Sequence, residues 1–78
     1  MASLPVVTGP EAIAVFNRVG FFVARIDGSH HTMKREGHPY VLTVPVHGKK
    51  AVKSGTLRSL IRKADMTVEQ FIEILEDT

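Results

Sequence analysis

Residues 21–47 read FFVARIDGSHHTMKREGHPYVLTVPVH, and this run decides the architecture. Phe21 to Ile26 is rich in aromatic and β-branched side chains, and Asp27-Gly28-Ser29 is turn chemistry. His30 to Glu36 reads as a second strand, Gly37-His38-Pro39 as the next connection, and Tyr40 to Val46 as a third strand. Connections this short join neighbouring strands antiparallel, so the run predicts a three-stranded meander. Alternation along the third strand puts Tyr40, Leu42, Val44 and Val46 on one face and Val41, Thr43, Pro45 and His47 on the other. In the second strand Met33 shares a face with His31 and Arg35, opposite His30, Thr32 and Lys34. The apolar face must meet whatever covers the sheet. His30 is therefore expected on the open side, and His31 partly covered.

Helical patterns flank the meander. Thr8 is a plausible N-cap, with Pro10 in the first turn and Glu11 near the positive helix end. Ala12, Val15, Phe16 and Val19 then recur at helical spacing, predicting a helix over 9–19 that Gly20 ends. After a basic loop at 47–55, Leu57, Leu60, Ile61 and Ala64 form a second helical stripe. Thr67-Val68-Glu69-Gln70 matches a capping box, and Val68, Phe71, Ile72 and Leu75 make a third stripe. The expected fold is α+β, in the order α-β-β-β-α-α, with the helices packed on one face of the sheet.

A chain of 78 residues supports one core, so a single domain over 1–78 is expected. The 44% apolar content suits a folded protein. With no cysteine there is neither a disulfide framework nor a thiolate metal site. Met1-Ala2-Ser3-Leu4-Pro5 lacks the basic start and apolar run of a signal peptide, and no stretch reaches the ~18 apolar residues of a membrane span. A cytoplasmic monomer is the expectation.

Charge is unevenly spread. Residues 28–63 carry Lys34, Arg35, Lys49, Lys50, Lys53, Arg58, Arg62 and Lys63 against Glu36 alone, whereas residues 64–78 carry five carboxylates and no cation. A basic centre of this kind favours a polyanion partner. Lys49, Lys50 and Lys53 precede the second helix, whose first amides lack intrahelical partners and attract anions; Arg58 and Arg62 extend the positive charge along it. Double-stranded RNA, read through its phosphates and 2′-hydroxyls, suits such a surface.

His30 is the first candidate for chemistry. An imidazole moves protons near neutral pH, and a place just after a Gly-Ser turn makes it reachable by a bulky substrate. Gly28 would let a phosphate approach the backbone. His30, His31, His38 and His47 invite a metal, but adjacent strand histidines point to opposite faces and no helical H-x-x-x-H spacing occurs. No metal or other cofactor is expected. G-x-S-x-G, the P-loop and G-x-G-x-x-G are all absent.

Gly20-Phe21, Gly28-Ser29-His30, Val44-Pro45-Val46-His47, Lys53-Ser54-Gly55-Thr56-Leu57-Arg58-Ser59-Leu60 and Thr67-Val68-Glu69-Gln70-Phe71 follow one another in the order and spacing of HicA toxins. Over roughly residues 4–75 the chain resembles that family. The resemblance implies a double-stranded-RNA-binding-like fold, ribonuclease activity on mRNA, and neutralisation by a HicB antitoxin. It implies that His30, the histidine of the Gly-Ser-His motif, is needed for activity, with His47 serving either structure or catalysis. Gly28, Ser29, Lys34, Lys49, Lys50, Lys53, Arg58 and Arg62 are the expected RNA contacts. The alternatives are a non-catalytic RNA-binding module of the same fold and an adaptor whose acidic last helix docks a partner. The chain departs from the family pattern at Ala51-Val52-Lys53, where Glu-Leu-Lys is usual, and at Asp65-Met66, where Ala-Gly is common.

Overall fold

Helix α1 spans Gly9–Arg18 in the computed structural model, which describes residues 3–78. Met1 and Ala2, the start of the segment read above for a leader, lie outside the described residues. The Thr8 hydroxyl accepts from the Glu11 amide and the Glu11 carboxylate accepts from the Thr8 amide, the reciprocal capping box that starts α1. Gly9 follows at a point of close approach. A Cβ there would meet the Pro45 carbonyl oxygen at 2.5 Å and the Val46 Cα at 3.0 Å, both backbone atoms that cannot swing aside. Gly9→Ala is expected to cost about 1–3 kcal/mol by overpacking, measured by chemical denaturation; unchanged stability would mean that α1 docks less tightly on the sheet.

The sheet is a meander of β1 (Phe22–Asp27), β2 (His30–Lys34) and β3 (Leu42–Pro45), in spatial order β1-β2-β3. Helices α2 (Ser54–Lys63) and α3 (Val68–Glu76) complete the predicted order. This α+β arrangement is consistent with a double-stranded-RNA-binding-like fold. Met33, Leu42 and Val44 give the sheet one apolar face, as their alternation predicts, and are fully buried. Against them pack Ala12, Val15 and Phe16 of α1, Leu57, Leu60 and Ile61 of α2, and Phe71 of α3. Phe16 sits centrally, with ring centroids 6.2 Å from Phe21 and 5.6 Å from Phe71.

The helices lie over β3 rather than β1. Every residue of β1 is exposed, including Val23 and Ile26. A bulge at Ala24 separates the pairs Val23↔Met33 and Arg25↔Thr32, so Val23 and Ile26 share the helical side although three residues apart.

The strands are shorter than their sequence patterns. β2 stops at Lys34 and β3 starts at Leu42, leaving Tyr40 and Val41 exposed rather than in a strand. The cause is a polar lock. The Arg35 guanidinium donates to the Val19 carbonyl at 3.0 Å and to His38 Nδ1 at 2.9 Å, and stacks on the Phe21 ring 4.6 Å from its centroid. Because arginine only donates, His38 Nδ1 must accept, and Nε2–H donates to the Lys63 carbonyl at the end of α2. The lock bends residues 35–39 out of strand geometry, and it makes Arg35 a structural cation.

The end of α2 explains Asp65. Its amide bonds the Arg62 carbonyl and the Met66 amide bonds the Ile61 carbonyl, the paired contacts of a Schellman cap. Asp65 holds φ +62°, the only positive φ outside glycine among the described residues. Glycine takes this conformation without a Cβ penalty, so Asp65→Gly is expected to stabilise the domain by about 0.5–1 kcal/mol, read as a higher melting temperature.

Candidate functional site

His30 opens β2 directly after the hairpin turn. Asp27 pairs with His30, leaving Gly28-Ser29 as a two-residue loop. Gly28 has φ +61° and Ser29 a negative φ, the pattern of a type II′ turn with glycine first. A Cβ on Gly28 would touch nothing within 4 Å, so the turn conformation selects glycine here, and the turn in turn fixes the register of His30. His30 is exposed on the open face. His31 points the other way, with Nδ1 buried and no hydrogen-bond partner among the described residues.

His47 arrives from β3. Pro45 pairs with His30, and the Val46 amide donates to the Ser29 carbonyl at 2.7 Å, carrying the β2–β3 pairing past the end of β3. His47 thus lies two residues beyond the partner of His30. Its carbonyl accepts from the Lys50 amide at 3.0 Å, closing a turn that brings Lys50 back beside it. The Val52 amide donates to the Val7 carbonyl at 2.8 Å, and Ala51 bridges Thr8, so the loop into α2 is pinned to the segment before α1.

These constraints shape an open cleft of ≈ 630 Å³ whose polar lining is His30, His47, Lys50, Lys53, Thr43 and Thr56. No carboxylate lines it. Lys53 is the N-cap of α2, which has no side-chain cap bond and no acid in its first turn, so the positive end of the helix adds to the two lysines. A second groove of ≈ 380 Å³ shares Thr43 and Thr56 with the first and runs on past Ser59 and Lys63.

Of the residues expected from sequence, His30, Lys50 and Lys53 meet in the cleft. Gly28 and Ser29 build the turn that presents His30. Lys34 lies on the same face of β2, four residues along. Lys49 sits exposed in the turn after His47. Arg58 and Arg62 are exposed on the flank of α2 away from Thr56 and Lys63, so they do not join the cleft. Thr43, Thr56 and Ser59 were not among the expected contacts, and Lys63 was counted only as part of the basic stretch. Parity places Thr43 on the face of His30, but the position of α2 along β3 depends on long-range packing. Arg18–Asp77, at 3.1 Å, is the only ion pair among the described residues, so the lysines of the cleft carry unneutralised charge. No group of three His, Cys, Asp or Glu side chains able to hold a metal occurs among the described residues.

A family model for the HicA toxin of bacterial toxin–antitoxin systems matches residues 9–66, well over half of the chain. The chain belongs to the HicA toxin family. The match spans α1, the sheet, α2 and every residue of the cleft, and stops before α3. No curated protein matches the chain. A toxin role and an antitoxin as partner come with membership of the HicA family. No helix among the described residues is long and apolar enough to cross a membrane.

Proposed function

We propose that this HicA-family toxin is a metal-independent endoribonuclease that cuts mRNA in the cytoplasm, with His30 transferring a proton at the scissile phosphate. The observation that carries the reading is the placement of His30 in an open cleft beside Lys50 and Lys53, with no carboxylate to repel a phosphate. RNA supplies its own nucleophile, because the 2′-hydroxyl lies next to the phosphorus. Cleavage needs a base for that hydroxyl, an acid for the departing 5′-oxygen, and positive charge for the phosphorane. His30 meets one of the first two needs; Lys50, Lys53 and the free amides of α2 meet the third. Lys34, on the face of His30, and Lys49, in the turn after His47, would meet neighbouring phosphates, and Arg58 and Arg62 would serve RNA only where it wraps over α2.

A HicB antitoxin would act most simply by covering the cleft, competing with RNA for the same lysines. The test is inducible expression of wild type and His30→Ala in a bacterial host, following growth and mRNA integrity together. Growth arrest with mRNA loss in the wild type alone is the expected result. If both proteins accumulate folded and neither harms the cell, a non-catalytic RNA-binding module becomes the better reading.

A further inference from the structure

We infer that His47 is the second proton-transfer group of the cleft, working with His30 as an acid–base pair on one RNA phosphate. The inference deepens the ribonuclease reading and rests on it. Transphosphorylation moves two protons, one off the 2′-hydroxyl and one onto the 5′-oxygen, and one imidazole performs only one of these transfers at a time. The cleft holds no carboxylate, cysteine or tyrosine. Its remaining charged groups are Lys50 and Lys53, compact cations on flexible stems that suit the phosphate oxygens as fixed charge. His30 and His47 are therefore the cleft's only side chains suited to exchange protons with a substrate at neutral pH.

Their placement fits the task. His30 faces Pro45 across the β2–β3 ladder, and His47 lies two residues further on with the pairing continued by the Val46–Ser29 hydrogen bond. Diagonal neighbours of this kind stand about 7–8 Å apart, with their Cβ atoms somewhat closer. In an in-line displacement the nucleophile and leaving group stand on opposite sides of phosphorus, so base and acid must flank the phosphate rather than sit together. A phosphate with a hydrogen bond of ~2.6–3.2 Å on each side fills a gap of that order. Lys50, returned beside His47 by the turn, then faces the non-bridging oxygens.

The step balances with no further reagent. One histidine starts neutral and takes the 2′-hydroxyl proton as the 2′-oxygen bonds to phosphorus. The other starts protonated and gives its proton to the 5′-oxygen as the phosphorus–oxygen bond breaks. The products are a 2′,3′-cyclic phosphate and a 5′-hydroxyl, and proton exchange with water resets the pair.

Single-turnover cleavage of one RNA oligonucleotide and of its analogue with sulfur in place of the bridging 5′-oxygen at the cut tests this directly. A thiolate leaves without a proton, so the analogue needs the base and not the acid. His30→Ala and His47→Ala are each expected to slow ordinary RNA by about 10²–10⁴-fold. On the sulfur analogue one of the two should return to within about tenfold of wild type while the other stays slow. The rescued variant marks the acid, and a purely structural role predicts equal loss on both substrates. His47→Gln, with circular dichroism on each variant, guards against a folding defect in His47→Ala. Cleavage of ordinary RNA by His47→Ala at the wild-type rate, or rescue of neither variant by sulfur, overturns the pairing while leaving the ribonuclease reading intact. Wild type that cuts neither substrate overturns both.

Discussion

Phe16→Ala is expected to lower the melting temperature by about 15–30 °C. Phe16 is fully buried, and its ring meets Phe21 just before β1 and Phe71 on α3. Truncating a core phenylalanine removes transfer energy and leaves a cavity, at a cost of about 3–5 kcal/mol. Globular proteins hold roughly 0.05–0.15 kcal/mol per residue, which gives a chain of this length only about 4–12 kcal/mol in total. In a small domain each kcal/mol is worth about 4–8 °C. Collapse around the cavity is restricted because Phe71 is the one fully buried residue of α3, so α3 loses its main anchor with the ring. Phe22→Ala is the matched control. Phe22 is 53% exposed on β1, and its loss should stay within about 0.5 kcal/mol. A Phe16→Ala protein melting within a few degrees of wild type would show that α1 and α3 repack more freely than their buried rings suggest.

The parts of this fold that were legible in the sequence are those set by local chemistry. Thr8 and Thr67 each precede a partner three residues on, and both capping boxes form. The parity of Leu42, Val44 and Met33 requires a buried face, so the exposure of His30 follows from a period of two. Features set by distant contacts were not legible. Nothing local marks Ala24 as a bulge, since it is neither glycine nor next to proline. Arg35 and Glu36 read as the end of a strand and Tyr40 and Val41 as the start of the next, yet Arg35 and His38 find better partners in Val19, Phe21 and Lys63. The pairing of Arg35 with His38 across that connection has no local signature.

The candidate site divides along the same line. His30 was readable because a Gly-Ser turn and strand parity act within a few residues. Lys50 and Lys53 were readable as charge, but their arrival beside His30 depends on the pinning of residues 51 and 52 to residues 7 and 8. Arg58 and Arg62 looked equivalent to those lysines in a charge count. Only the azimuth of α2, fixed by burial of Leu57, Leu60 and Ile61, turns them to the far flank. The Asp65 departure from the family pattern carries its consequence in backbone conformation rather than in chemistry, because it stands away from the cleft at the other end of α2.

RNA in which the single 2′-hydroxyl beside the cut is replaced by hydrogen is expected to become fully resistant to this toxin. The proposed chemistry has no other nucleophile: the acid–base groups assist an attack that the substrate itself delivers. Affinity should scarcely change. The phosphates are untouched, and they supply most of the binding to a basic cleft, which also makes that binding fall steeply with added salt. The expected signature is thus a split, with dissociation constants for the two oligonucleotides within a few-fold of each other and cleavage of the deoxy analogue undetectable. Ordinary RNA should yield fragments ending in a 2′,3′-cyclic phosphate, the product of attack from within the chain. Continued cutting of the deoxy analogue would mean that water is the nucleophile, which would give His30 a different proton to move. Tight binding of both oligonucleotides with neither cut would instead favour the non-catalytic RNA-binding module, since the same lysines and the same fold would hold RNA without breaking it.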